Sequence, residues 1–132
     1  MRGYLLDTCI CVFLFRDKYG VAERLNAVDP NDIYISEVTV AELKYGAANS
    51  SDPEELVRTQ EFVDSVNVIP FRSSIDLFAA EKVRLKRIGL VIDDFDLLIG
   101  CAAVEEDLVM VTENVKHLQR IDGIVIENWI ER

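Results

Sequence analysis

Basic residues, cysteine, histidine and long apolar runs are all scarce in this chain, and each shortage excludes something. Lysine and arginine number 14 against 24 acidic residues, a formal net charge of −10. A protein that binds phosphate backbones through its overall charge is basic, so a nucleic-acid partner would have to be held locally. The surplus of carboxylates fits a basic protein partner, or acids that hold metal cations. The three cysteines, Cys9, Cys11 and Cys101, are odd in number and lack the Cys-x-x-Cys spacing of zinc sites. They argue against a disulfide framework and are expected in the core, where a free thiol behaves as a small hydrophobe. The single histidine, His117, leaves no Ser-His-Asp set to assemble and is expected at the surface. No glycine-rich phosphate loop is present. No apolar run approaches the ~18–20 residues of a membrane span. Met1 to Leu6 begins like a secretion signal, but Asp7 interrupts it before the ~7–15 apolar residues that such a signal needs. A cytoplasmic protein is expected.

What the chain does contain reads as one α/β domain over residues 1–132, with 50% hydrophobic and 29% charged residues. Short apolar runs near 3–7, 33–36, 67–70, 108–111 and 124–126 are expected as buried strands. Helical patterns separate them: Cys9–Phe15, Val21–Val28, Glu37–Ala48, Glu54–Val66, Ser73 or Ser74 to Ile88, the segment from the Asp93–Asp96 turn to about Glu106, and Val115–Arg120. Ser36 suits an N-cap and Gly89 a C-cap. In the third helix Val38, Ala41, Tyr45 and Ala48 share one face at ~100° per residue. Strands alternating with helices predict a five-stranded parallel sheet with helices on both faces. Trp129 is expected to anchor the tail.

Chemistry in such a sheet collects beyond the carboxyl ends of the strands. Asp7 sits there directly after Tyr4-Leu5-Leu6, although Asp7 or Thr8 would also cap the next helix. Asp96 lies in a segment that is otherwise apolar almost all round, on the face of Ile99, Gly100 and Ala103. A carboxylate there favours the helix dipole, pairs with an arginine, or binds a cation. Glu42 borders the apolar face of its helix and completes a capping-box pattern with Thr39. Gly46 and Gly100 each follow an acid at i+4 and suggest a close approach to the helix. Asn114, in the turn Thr112-Glu113-Asn114, is either an N-cap or an oxygen donor near the acids. All of these are oxygen donors, which hard cations such as Mg²⁺ and Mn²⁺ prefer.

Leu5-Leu6-Asp7-Thr8, Ser36 to Gly46, Phe95-Asp96-Leu97-Leu98-Ile99, Val111-Thr112-Glu113-Asn114 and Glu127-Asn128-Trp129, in this order, span essentially the whole chain. This pattern resembles the PIN-domain ribonucleases, in particular the VapC-type toxins of bacterial toxin–antitoxin pairs. The resemblance implies RNA hydrolysis with Mg²⁺ or Mn²⁺ held by Asp7, Glu42 and Asp96. It implies that Thr8, Thr112, Glu113 and Asn114 position water or phosphate, and that a cognate antitoxin blocks the site of a homodimer or higher assembly. The family's fourth acid position falls on Asn114, so Glu113, or Asp93 or Asp94, is the nearest replacement. The three principal acids are expected to converge within coordination reach. Lys82, Lys86, Arg87, Lys116 and Arg120 are the candidates for gripping RNA, with Arg84 and Arg87 as a second ridge beside Lys82 and Lys86. Two other readings stand beside this one: a catalytically silent binding module of the same fold, and an acidic-pocket regulatory domain of the receiver type.

Overall fold

The computed structural model describes residues 2–132. Five strands, β1 (Tyr4–Leu6), β2 (Ile33–Ser36), β3 (Asn67–Ile69), β4 (Val109–Val111) and β5 (Ile126–Glu127), form one parallel sheet in the order β3-β2-β1-β4-β5. Successive side chains alternate between its faces. Leu5 and Met110 belong to one core cluster, and Leu6 and Val111 to another, so the central strands are apolar throughout.

Seven α-helices cover the sheet: α1 (Thr8–Phe15), α2 (Val21–Asn26), α3 (Glu37–Ala48), α4 (Glu54–Ser65), α5 (Ile75–Arg87), α6 (Asp94–Glu105) and α7 (Val115–Leu118). The α1 and α2 side chains, Leu43 of α3 and Trp129 fill the face carrying Leu6. Those of α5, α6 and α7 fill the face carrying Leu5. The Ser36 hydroxyl caps α3 by accepting from the Val38 N–H at 3.0 Å. Gly89 ends α5 at φ 72°, a left-handed conformation that favours glycine. Trp129 is buried against Tyr4, and its indole N–H donates to Glu127 Oε1 at 3.0 Å, anchoring the tail.

Several expectations are corrected. The last strand starts at Ile126, not 124: Gly123 turns at φ 79°, and Ile124 packs toward α6 before pairing begins. The α3 face of Ala41, Tyr45 and Ala48 points outward, with Tyr45 72% exposed. Its buried face is Val38, Thr39, Leu43 and Ala47, which straddles both core clusters. Gly100 needs no ligand to explain it, since a Cβ there would run into the Ile121 side chain. Helix α5 begins at Ile75 after a single 3₁₀ turn, Phe71–Ser74. Cys11 and Cys101 are buried, while Cys9 is only half-buried.

Candidate active site

The strand order reverses between β1 and β4: the chain leaves β1 for β2 on one side, and β4 lies on the other. This reversal opens a crevice outside the carboxyl ends of the two strands, where ligands of open α/β sheets bind. Asp7 follows β1 and Thr112 follows β4. The Thr112 hydroxyl donates across the crevice to Asp7 Oδ2 at 2.7 Å, over a separation of 105 residues. Asp7 Oδ1 accepts from the Thr8 N–H at 2.8 Å, so this residue both caps α1 and faces the crevice. It is 5% exposed, and burial pushes its carboxyl above the usual range against the pull of these donors.

Glu42 arrives from α3. The Thr8 hydroxyl contacts Glu42 Oε1 at 2.7 Å and the Thr39 hydroxyl at 3.0 Å. A hydroxyl has one proton and an ionised carboxylate only accepts, so Thr8 donates to Glu42 and Thr39 donates to Thr8. Thr39, fully buried, is thus a supporting residue that the sequence suggested only as a cap.

Asp96 sits in the first turn of α6. Asp93 caps that helix, its Oδ2 accepting from the Phe95 and Asp96 N–H groups. Asn114 Nδ2 donates to Asp96 Oδ2 at 3.4 Å. The Asp96 carboxyl is pushed up to about 6, first by burial and then by the negative charges of Asp7, Asp93 and Glu42. These acids therefore share one electrostatic environment. Among the described residues, none of Asp7, Glu42 and Asp96 is in a salt bridge.

The expected convergence is met only in part. The three acids gather beyond the carboxyl end of β1, but among the described residues no group of three His, Cys, Asp or Glu side chains is set to hold a metal ion. Each carboxylate instead takes up a neighbouring hydroxyl or amide donor. The donor set still fits a hard divalent cation: it is all oxygen, it carries mutually repelling charge, and among the described residues it has no cationic partner. An ion that retains several waters suits it best.

The other candidates have definite places. Asn114 precedes α7, but its side chain makes no cap hydrogen bond. It lies between Asp96 and His117, while its backbone N–H donates to the Thr112 hydroxyl at 2.9 Å. Glu113 turns to Arg132, whose Nε donates to it at 3.1 Å, and away from a replacement-ligand role. Asp93 is spent on the α6 cap, and Asp94 pairs with Lys82 at 2.9 Å. Arg84 turns inward to clasp Glu81, and Arg120 donates to the Val91 carbonyl. Lys86, Arg87 and Lys116 are exposed. A cleft of about 280 Å³ opens beside Thr8 and Glu42, lined also by Arg16, Gly46 and Glu55. A Cβ at Gly46 would meet nothing of the chain within 4 Å, and this glycine faces the open cleft.

The PIN domain family model matches residues 4–124. Ribonuclease VapC2 of Rickettsia felis is 34% identical over 131 residues, covering 96% of this chain and 97% of the relative. The tRNA(fMet)-specific endonuclease VapC of Shigella flexneri is 33% identical over 132 residues, 98% of this chain and 99% of that one. A chain in the crystal structure of DNA-bound VapBC from Salmonella typhimurium superposes with a TM-score of 0.89 at 31% identity, covering 98% of this chain and 99% of its own length.

Proposed function

Because the chain belongs to the PIN-domain family, we propose that it is an endoribonuclease, the toxin of a toxin–antitoxin pair, with Asp7, Glu42 and Asp96 as its catalytic acids. The family match sets aside the receiver-type reading. The observation that carries the assignment is the hydrogen bond from Thr112 to Asp7 across the β1–β4 crevice, flanked by the Thr8–Glu42 and Asn114–Asp96 contacts. Together these bring acids from α3 and α6 to the end of β1.

Asp7, Glu42 and Asp96 would hold Mg²⁺ or Mn²⁺, directly or through water. When bound, such an ion supplies positive charge beside the phosphate and acidifies water. The protein's own groups do the positioning. Thr112 and the Thr8 N–H keep both Asp7 oxygens aimed and favour the ionised carboxylate against the effect of burial. The Thr39–Thr8 hydroxyl pair fixes Glu42, and Asn114 steadies Asp96. Preorganisation of this kind avoids reorienting the site during the reaction. Of the candidate basic residues, Lys86, Arg87 and Lys116 are exposed and would grip phosphates without reading bases. The partner is a cognate antitoxin, and a basic segment of it would match both the acidic site and the net charge of −10. The protein assembles as a homodimer or, with that antitoxin bound over the site, as a larger complex. Work on RNA places the protein in the cytoplasm; no helix among the described residues is long and apolar enough to cross a membrane.

Cleavage of a panel of RNAs, with initiator tRNA first because the Shigella flexneri relative is named for it, tests the proposal. Wild-type protein should cut with Mg²⁺ or Mn²⁺ and stop with a chelator, and Asp7→Asn should be inactive yet folded. Cleavage that persists in Asp7→Asn overturns the assignment. A wild-type protein that binds RNA but never cuts it is the silent binding module instead.

A further inference from the structure

One contact of the Thr112–Asn114 turn has no role in that scheme. His117, on α7, places Nδ1 2.8 Å from Asn114 Oδ1, while Asn114 Nδ2 lies 3.4 Å from Asp96 Oδ2. The donors and acceptors along this row are dictated by chemistry. An ionised carboxylate only accepts, so the Asn114 amide turns its NH₂ toward Asp96 and its carbonyl oxygen toward His117. A carbonyl oxygen also only accepts, so His117 carries a proton on Nδ1. The Asn114 backbone is fixed separately, by its N–H to Thr112. Among the described contacts, the end of the side chain therefore takes its orientation from Asp96 on one side and His117 on the other.

We propose that His117 is a positioning residue, whose Nδ1–H holds the Asn114 amide in the one orientation that donates to Asp96. A flipped amide would present its carbonyl oxygen to a carboxylate and push it away. The 3.4 Å contact is long for a charge-assisted hydrogen bond, so it depends on how firmly the amide is held. His117 itself is exposed, and its ring adds little to the core. The kinetic consequence rests on the ribonuclease reading; the hydrogen-bond assignment does not.

The chain has one histidine, so imidazole-nitrogen NMR reports His117 alone. At a pH above the range in which imidazoles titrate, the wild-type ring should carry its proton on Nδ1, although a free imidazole side chain in water favours Nε2. In Asn114→Ala the proton should move to Nε2. An Nε2–H ring in the wild type overturns the proposal, whether or not RNA is cleaved. In the cleavage assay His117→Ala should lower kcat about fivefold, the worth of one neutral hydrogen bond, with KM unchanged. His117→Asn should restore kcat, because its amide nitrogen takes the place of Nδ1. His117→Gln, with its nitrogen at the Nε2 position, should not. In an Asn114→Ala background the loss of His117 should change nothing further. Unchanged kcat in His117→Ala overturns the proposal. So does an effect on KM alone, which would mean that the ring touches RNA, or a fall in Tm that accounts for the lost activity. If the wild type cuts no RNA, the ribonuclease reading fails while the tautomer still decides this one.

Discussion

Replacing Asp96 by asparagine should make the metal-free protein more stable. The carboxyl of Asp96 titrates at about 6 instead of 3.8, because it is half-buried and faces the charges of Asp7, Asp93 and Glu42. A rise of that size corresponds to about 3 kcal/mol for a fully desolvated group. Asp96 is partly open to solvent, and screening reduces the expected gain to about 1 kcal/mol. For a chain of this length that is about 3 °C in Tm. The sign follows from linkage. Below pH 3.8 the group is protonated in both folded and unfolded states, and its charge costs nothing. As the pH climbs toward about 6 the unfolded chain ionises first, and above 6 the folded protein bears the full penalty. The advantage of Asp96→Asn should thus vanish at pH 3.5 and be complete at pH 7. Asparagine keeps an oxygen to accept from Asn114, so no new orphan donor arises. Thermal melts of both proteins in chelator at pH 3.5, 5, 6 and 7 read this directly. Adding Mg²⁺ or Mn²⁺ should raise the wild-type Tm and leave that of the variant unchanged. A variant less stable than wild type at pH 7, or an advantage that persists at pH 3.5, would refute the crowding argument.

Three further outcomes are expected. Thr112→Val keeps the shape but removes both the donor to Asp7 and the acceptor for the Asn114 N–H, so urea melts should show a loss of about 1–3 kcal/mol and cleavage should fall with it. Glu81 is buried and accepts from Arg84 Nε, Arg84 Nη2 and the Asp122 N–H, which ties α5 to the segment before β5; Glu81→Ala should cost about 2 kcal/mol by the same assay without altering metal binding. Lys86→Glu with Arg87→Glu should weaken RNA binding across sequences and flatten its salt dependence, whereas Lys82→Ala, which removes a cation already paired with Asp94, should do neither. Equal salt slopes for all three proteins would remove α5 from the RNA-binding surface.

Local signals were sufficient for much of this molecule. The run Tyr4-Leu5-Leu6 could bury itself only as a central strand, and it placed Asp7 at a carboxyl end. Ser36 started α3 because its hydroxyl meets an unpaired N–H two residues on. The apolar circumference of α6 required burial on every side and isolated Asp96 as the residue needing an explanation. Each of these inferences involves residues a few positions apart, where sequence spacing sets geometry. Partners across the fold are a different matter. The Thr112–Asp7 bond, the pairing of Lys82 with Asp94, the bond from Arg84 to the Arg120 carbonyl, the diversion of Glu113 to Arg132 and the row from His117 to Asp96 depend on how each helix is rotated on the sheet. Spacing does not determine that rotation when a helix is apolar on two sides. In α3 both Val38-Ala41-Tyr45-Ala48 and Val38-Thr39-Leu43-Ala47 make plausible stripes, and only packing against two cores at once selects the second. The identities of the acids were legible because their chemistry is uncommon on apolar elements. Their hydrogen-bond partners were not, because strand order and helix rotation bring those residues together only after the chain has folded.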